Sequence, residues 1–108
     1  MTHHRIVYIT TSDKESAQKI ASTLLEERLI ACANILPEMN SVYRWKGEVC
    51  NDSETVLILK TKEELVSKIK ERVPQLHSYE CPCLLVLPVN DGLPAYLSWL
   101  DAQTEAST

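Results

Sequence analysis

The run LIACANILPEMNSVYRWKGEVCNDSETVLILKT, residues 29–61, is the most informative part of this chain about its fold. Residues 29–35 and 54–61 are rich in small, β-branched and other apolar side chains, and they predict two strands. Pro37 interrupts the first strand without a glycine turn, and the extended pattern resumes over 41–45, which indicates one long strand bulged at the proline. Lys46-Gly47 and residues 51–53 supply turn chemistry at the hairpin tip. The sequence therefore predicts one long central hairpin.

The segment before this hairpin predicts a strand followed by a helix. Residues 5–10 (RIVYIT) are apolar on both faces, as in a central strand of a small sheet. Ser12 and Glu15 match the capping-box pattern that begins many helices. One face of this helix carries the apolar positions Ala17, Ile20, Ala21, Leu24 and Leu25.

The segment after the hairpin repeats this alternation. Thr61 and Glu64 match a second capping box, and Pro74 falls in the last turn of the helix that follows. Residues 84–89 predict a fourth strand, and 91–94 begin a short final helix. The predicted buried positions of these two helices are Leu65, Ile69, Val73 and Leu76, then Leu93, Tyr96, Leu97 and Leu100.

The order β-α-β-β-α-β with a terminal helix predicts an α+β fold of ferredoxin-like type. A chain of 108 residues suits one domain over 1–108, with 1–4 and 104–108 expected to fray. The hairpin is too long for the other strands, and its overhang carries Tyr43, Trp45 and Val49. Such an apolar edge pairs with another chain, so a homo-oligomer with Trp45 as an interface anchor is expected. Trp99 is expected to anchor the core.

Composition excludes several classes of function. The net charge of −4 argues against a nucleic-acid partner, and two glycines cannot form a P-loop or a Rossmann phosphate loop. No apolar run approaches a membrane span, and the start of the chain has no signal-peptide pattern, so a cytoplasmic protein without a membrane partner is expected. The four cysteines are then expected to be reduced.

The segment HSYECPC, residues 77–83, gathers the candidate metal ligands His77, Glu80, Cys81 and Cys83. Residues two apart on a strand share a face, so the two thiols lie roughly 6–7 Å apart at Cα. The competing interpretation is that both thiols pack as small hydrophobes beneath Leu85 and Leu87. Adjacent His3 and His4 could also chelate a metal, although a frayed terminus favours no specific role.

Six short runs of the chain resemble those of the CutA family, the divalent-cation tolerance proteins. They are residues 28–35 (RLIACANI), 41–47 (SVYRWKG), 52–54 (DSE), 59–61 (LKT), 77–80 (HSYE) and 96–100 (YLSWL). The resemblance implies a ferredoxin-like subunit in a tight homotrimer, with long hairpins forming inter-subunit sheets. It also implies a cytoplasmic protein linked to copper and other divalent cations, similar in architecture to PII signalling proteins.

Two positions linked to copper binding in some family members differ here. The family's cysteine at the end of the first strand falls at Ile9, and its histidine pair reads Leu76-His77. Ser78 replaces the usual proline, and Cys83 replaces the usual glutamate. The expected site is therefore His77, Glu80, Cys81 and Cys83, binding copper or else zinc or another divalent cation.

Three functions remain open from the sequence. The first is a cation-binding homotrimer for metal tolerance, without a defined catalytic activity. The second is a PII-like signalling or scaffold trimer that holds a small ligand or partner protein in its clefts. The third is an acylphosphatase-type enzyme, which the acidic Asp13 in the loop after the first strand disfavours because that loop would have to cradle phosphate. Glu54 and Lys60 share one strand face and predict an ion pair or a charged cleft lining.

Overall fold

The computed structural model describes residues 2–105, which form a four-stranded antiparallel sheet and three helices. The elements in chain order are β1 (His4–Thr11), α1 (Lys14–Glu26), β2 (Cys32–Trp45), β3 (Glu48–Lys62), α2 (Glu63–Leu76), β4 (Leu84–Pro88) and α3 (Pro94–Gln103). The strand order is β2-β3-β1-β4, and each neighbouring pair is antiparallel. This arrangement confirms the predicted ferredoxin-like α+β fold.

Helices α1 and α2 cover one face of the sheet and bury the core against it. Because side chains alternate along a strand, Val7 and Ile9 of β1 and their partners Leu59 and Leu57 of β3 all point to this face. These four side chains are fully buried. The helices contribute Ala17, Ile20, Ala21, Leu24, Ile69 and Val73. The predicted stripes of α1 and α2 therefore build the core.

The opposite face of the sheet is covered only in part. Helix α3 lies over one end, where the ammonium of Lys60 is 5.5 Å from the centre of the Tyr96 ring. Further along this face Leu85 pairs with Tyr8 across β4 and β1, and it remains 61% exposed. None of the helices within residues 2–105 is long and apolar enough to cross a lipid bilayer.

The central hairpin extends well beyond the sheet. Strand β1 ends at the pair Thr11–Thr55, whereas β2 and β3 continue as a ribbon of seven residue pairs, from Met39–Glu54 to Trp45–Glu48. The register shifts between Leu36 and Met39, which confirms the predicted bulge near the proline. This two-stranded part, called the ribbon below, gives the subunit its longest dimension of 46 Å.

The ribbon closes through a two-residue turn. Lys46 and Gly47 have φ angles of +49° and +83°, the combination that a tight type I′ hairpin turn requires. Residues 51–53, also expected at the tip, lie inside β3 instead. The turn uses only Lys46 and Gly47, so pairing between β2 and β3 begins at Glu48 and continues through residues 51–53.

Both predicted capping boxes are wrong. Asp13, not Ser12, caps α1, and its carboxylate accepts a hydrogen bond of 2.7 Å from the Ser16 amide. Helix α2 follows β3 directly, and its N-cap Lys62 makes no side-chain capping bond. Thr61 is buried in β3, where its hydroxyl donates to the Leu29 carbonyl at 2.6 Å. The Thr61 hydroxyl therefore bonds inside the fold, not at the start of α2 as the capping-box pattern predicted.

Several apolar residues expected to face inward are exposed in the subunit. Leu25 is 44% exposed, since a helix of 3.6 residues per turn carries it about 80° around from Ala17. Leu93 precedes α3 and is the most exposed of the large apolar residues described. Tyr96 is 41% exposed, and Trp99, expected in the core, is 42% exposed. Only Leu100 of α3 is buried among its described residues.

Candidate metal-binding cleft

A cleft of about 740 Å³ lies between the ribbon and the segment that joins α2 to β4. Tyr8 and Thr10 of β1 form part of its lining, and residues 78–81 and 83 form one side. The ribbon forms the other side through Met39, Ser41, Val42, Tyr43, Trp45, Asp52 and Glu54. The ribbon creates this cleft because it projects past the end of β1. The long hairpin and the candidate ligand segment therefore meet in one place.

The chemistry of the cleft lining favours positive ions. Its lining includes three carboxylates (Asp52, Glu54 and Glu80), two thiols (Cys81 and Cys83) and the thioether of Met39. Among the described residues that line the cleft, none is a lysine, arginine or histidine. Carboxylates attract cations, and thiol and thioether sulfur select soft metal ions such as Cu(I).

A buried carboxylate is held at the inner side of the cleft. Glu54 is 8% exposed, and one of its oxygens accepts a hydrogen bond of 2.8 Å from the Tyr79 hydroxyl. Partial burial raises the pKa of Tyr79, and the bond to Glu54 raises it further. The phenol therefore stays protonated and keeps Glu54 in a fixed orientation.

Two more hydrogen bonds order the cleft walls. The Tyr43 hydroxyl donates to the carboxylate of Asp52 across the ribbon. This bond, with a contribution from desolvation, raises the pKa of Tyr43 to about 12. The Tyr8 hydroxyl lies 3.7 Å from the sulfur of Met39 and donates to it. The cleft thus has its polar groups positioned by their neighbours.

His77 is adjacent to this cleft but does not line it, and both of its ring nitrogens are engaged. Nε2 donates to the Thr10 carbonyl at 2.7 Å, and Nδ1 accepts from the Tyr79 amide at 3.1 Å. These two bonds hold the imidazole between the end of α2 and β1. To bind a metal, His77 would have to release one of them.

The other predicted ligands are more accessible. Cys81 is exposed and Cys83 is partly buried, and both thiols are free. Glu80 is exposed, with a carboxylate oxygen 3.8 Å from the ammonium of Lys46. Leu85 is also exposed. The competing interpretation placed both thiols in the core beneath this residue, and the exposure of Leu85 contradicts it.

The single subunit does not bring this predicted set together. Within residues 2–105, no three of the ligand atoms of His77, Glu80, Cys81 and Cys83 lie within 4.8 Å of one another. The four-residue site therefore stays a prediction. Ile9, at the position of the family's cysteine, is fully buried in the core and supplies no ligand.

A different cluster forms at the other end of β1. His3, His4 and Asp101 each offer one ligand atom, and these atoms lie within 4.8 Å of one another. The sequence pointed to the adjacent histidines but to no third ligand, because Asp101 is 97 residues from His4. Residues 1–4 were expected to fray. In the structure, however, Thr2 is held in place, since its hydroxyl donates to the Val89 carbonyl at 2.7 Å. Met1 and 106–108 lie outside the described residues.

Known proteins share both the sequence and this architecture. Residues 5–103 match a family profile described as CutA1 divalent ion tolerance protein. The divalent-cation tolerance protein CutA of Thermus thermophilus is 46% identical over 99 residues, which cover 92% of this chain and 96% of that protein. The chloroplastic protein CutA of Arabidopsis thaliana is 40% identical over 99 residues, but this match spans only 54% of that protein. The crystal structure of CutA from Xylella fastidiosa has a TM-score of 0.93 at 34% identity and covers 96% of this chain and 100% of that one.

Proposed function

This chain belongs to the CutA1 divalent ion tolerance family, and on that premise we propose that it is a homotrimer that binds copper in its cleft and contributes to metal tolerance. Zinc or another divalent cation is the alternative ion. No catalytic step is part of this proposal. A cytoplasmic location is part of the proposal as well, because a reducing compartment keeps cysteines as free thiols, as all four are here.

The observation that carries the proposal is the composition of the cleft lining. Three carboxylates, two thiols and one thioether face a common volume without a basic side chain among the described lining residues. Sulfur ligands from Cys81, Cys83 and Met39 would suit Cu(I), whereas the carboxylates would raise the local concentration of any cation.

Surfaces that a lone subunit leaves uncovered support the proposed homotrimer. A two-stranded ribbon is marginally stable in water, yet this one runs for seven residue pairs. Val42 is 67% and Val49 is 65% exposed on it. Leu85 and Leu87 on the open sheet face are exposed as well. Pairing between subunits would cover these surfaces and would enclose the cleft between chains.

The test is a Cu(I) and Zn²⁺ titration of the reduced full-length protein, together with its native mass. Cys81→Ser/Cys83→Ser should weaken Cu(I) binding by at least about tenfold, because it removes the two thiolate ligands. Cys32→Ser/Cys50→Ser is the matched control, since those thiols do not line the cleft. Equal Cu(I) affinity in both double variants would contradict the proposed site.

His77→Ala provides a separate comparison. If the imidazole leaves Thr10 to bind the ion, this variant should also lose affinity. If it only joins α2 to β1, the thermal stability should fall while the metal affinity is retained.

A PII-like binding role is the second candidate, because about 740 Å³ is within the size range of small-molecule sites. It is favoured if the purified protein carries an organic ligand in the absence of metal. Native mass spectrometry of the metal-free protein would detect this ligand.

A further inference from the structure

We propose that His3, His4 and Asp101 form a second cation site, separate from the cleft, that takes a divalent transition ion such as Zn²⁺. Both imidazoles point Nε2 at the same oxygen, Asp101 Oδ1, at distances of 3.0 Å for His3 and 2.9 Å for His4. The site lies at the start of β1, whereas the cleft lies near the end of that strand.

The spacing of the three atoms matches what a small ion needs. Zinc bonds of about 2.0–2.1 Å in tetrahedral geometry place neighbouring ligand atoms roughly 3.3–3.4 Å apart. The two nitrogen–oxygen distances, 2.9 and 3.0 Å, differ from this by only about 0.4 Å, and the third edge is no longer than 4.8 Å. Small side-chain rotations would therefore bring all three atoms around one ion.

The backbone at the start of the chain makes this convergence possible. Adjacent residues of a regular strand point to opposite faces, so two neighbouring histidines would not normally meet. Here His3 lies in a bend just before β1, and the two rings are 4.1 Å apart. The Thr2 hydroxyl holds this bend, since it donates to Val89 and accepts from the His4 amide at 3.0 Å.

A salt bridge alone does not account for the arrangement. His4 is only 3% exposed, and its Nδ1 is a buried atom without a hydrogen-bond partner among the described residues. That nitrogen lies across the ring from Nε2, the atom that faces Asp101 and would bind the ion. One histidine would be enough to link β1 to α3 through Asp101. Here two histidines share a single oxygen of that carboxylate.

The ligand set indicates the class of ion. Two imidazoles and one carboxylate suit Zn²⁺, Cu²⁺ or Ni²⁺ rather than Mg²⁺ or Ca²⁺, which prefer oxygen ligands. The side chains of His3 and Asp101 are 50% and 37% exposed, so an ion can enter from solvent and keep a water as a fourth ligand. A bound ion would join the first strand to α3, whose described residues include a single buried one, Leu100.

The test uses Zn²⁺ titration calorimetry in the Cys81→Ser/Cys83→Ser background, which removes the thiol ligands of the cleft. We expect one Zn²⁺ per chain and a rise in Tm when Zn²⁺ is added. Asp101→Asn and the exposed-site variant His3→Ala should each weaken this binding by at least about tenfold and abolish the rise in Tm, since each removes one of three ligands. Mg²⁺ should produce neither effect.

Two results would overturn the proposal. One is the absence of Zn²⁺ binding in this background, and the other is unchanged affinity in Asp101→Asn and His3→Ala. Neither result bears on the cleft, whose copper site is tested by its own cysteine variants. Circular dichroism of both variants without metal establishes that lost binding does not reflect lost folding.

Discussion

Replacing Trp45 with Glu is expected to dissociate the proposed trimer into folded subunits. Trp45 is the last residue of β2, where it pairs with Glu48 at the tip of the ribbon. It is 41% exposed in the single subunit, although tryptophan is among the most hydrophobic anchors of protein interfaces. Pairing between ribbons would bury this remaining surface.

The magnitude follows from the exposed fraction. The 41% of Trp45 that remains accessible corresponds to roughly 100 Å², which contributes about 2.5 kcal/mol per interface when buried. Trp45→Ala should lose this contribution, equivalent to a roughly 70-fold weaker association at each contact. Trp45→Glu should lose it and also place an unpaired charge in the interface, which costs several kcal/mol more.

Sedimentation velocity over a range of micromolar concentrations would measure the effect. Leu25→Glu is the control, because Leu25 is 44% exposed but lies on α1, away from the ribbon. We expect wild type and Leu25→Glu to sediment as trimers and Trp45→Glu as a monomer. A monomeric wild type, or a trimeric Trp45→Glu, would contradict the proposed pairing between ribbons.

Three further predictions concern the subunit itself. Thr61→Val should lower the free energy of unfolding by about 1–2 kcal/mol in urea denaturation, because it leaves the Leu29 carbonyl without its 2.6 Å hydrogen bond. Gly47→Ala should lower the free energy of unfolding by about 1 kcal/mol in the same assay, because φ is +83° there and alanine is strained in that conformation. No atom lies within 4 Å of the added Cβ, so no steric clash adds to this cost. Asp13→Ala should lower Tm at pH 7. The amide of Ser16 lowers the pKa of Asp13 in the folded protein, so the stabilisation is present above the unfolded pKa of about 3.9 and is lost as the pH falls through the folded value. A Tm difference between Asp13→Ala and wild type that stays constant down to pH 2 would contradict this mechanism.

Local sequence patterns predicted most of the fold. The apolar runs 5–10 and 54–61 predicted strands that the structure confirms, and the proline at 37 predicted the bulge that it contains. The capping assignment at Thr61 was wrong because its hydroxyl can serve a helix end or another part of the backbone. Its partner Leu29 lies in the connection between α1 and β2, which comes next to Thr61 only when β2 pairs with β3.

The candidate sites were less predictable than the fold. The segment 77–83 does reach the cleft, as its composition indicated, and residues 78–81 and 83 line it. The state of His77 could not be inferred, because its Nε2 partner is the Thr10 carbonyl, 67 residues away. The cluster of His3, His4 and Asp101 joins the first strand to the last helix, and no local pattern connects them.

Local patterns along the chain are enough to predict the order of strands and helices, the apolar faces and the length of the hairpin, because these depend on repeats of two or 3.6 residues. Which polar groups meet depends instead on how the strands and helices pack. Sheet pairing sets β1 between β3 and β4, and it thereby places Thr10 against His77 and the start of the chain against Asp101. Those contacts determine that Nε2 of His77 is already hydrogen-bonded and that Nε2 of His3 and of His4 meet at Asp101. Hydrogen bonds act over about 3 Å whatever the separation in sequence, so local patterns do not reveal them.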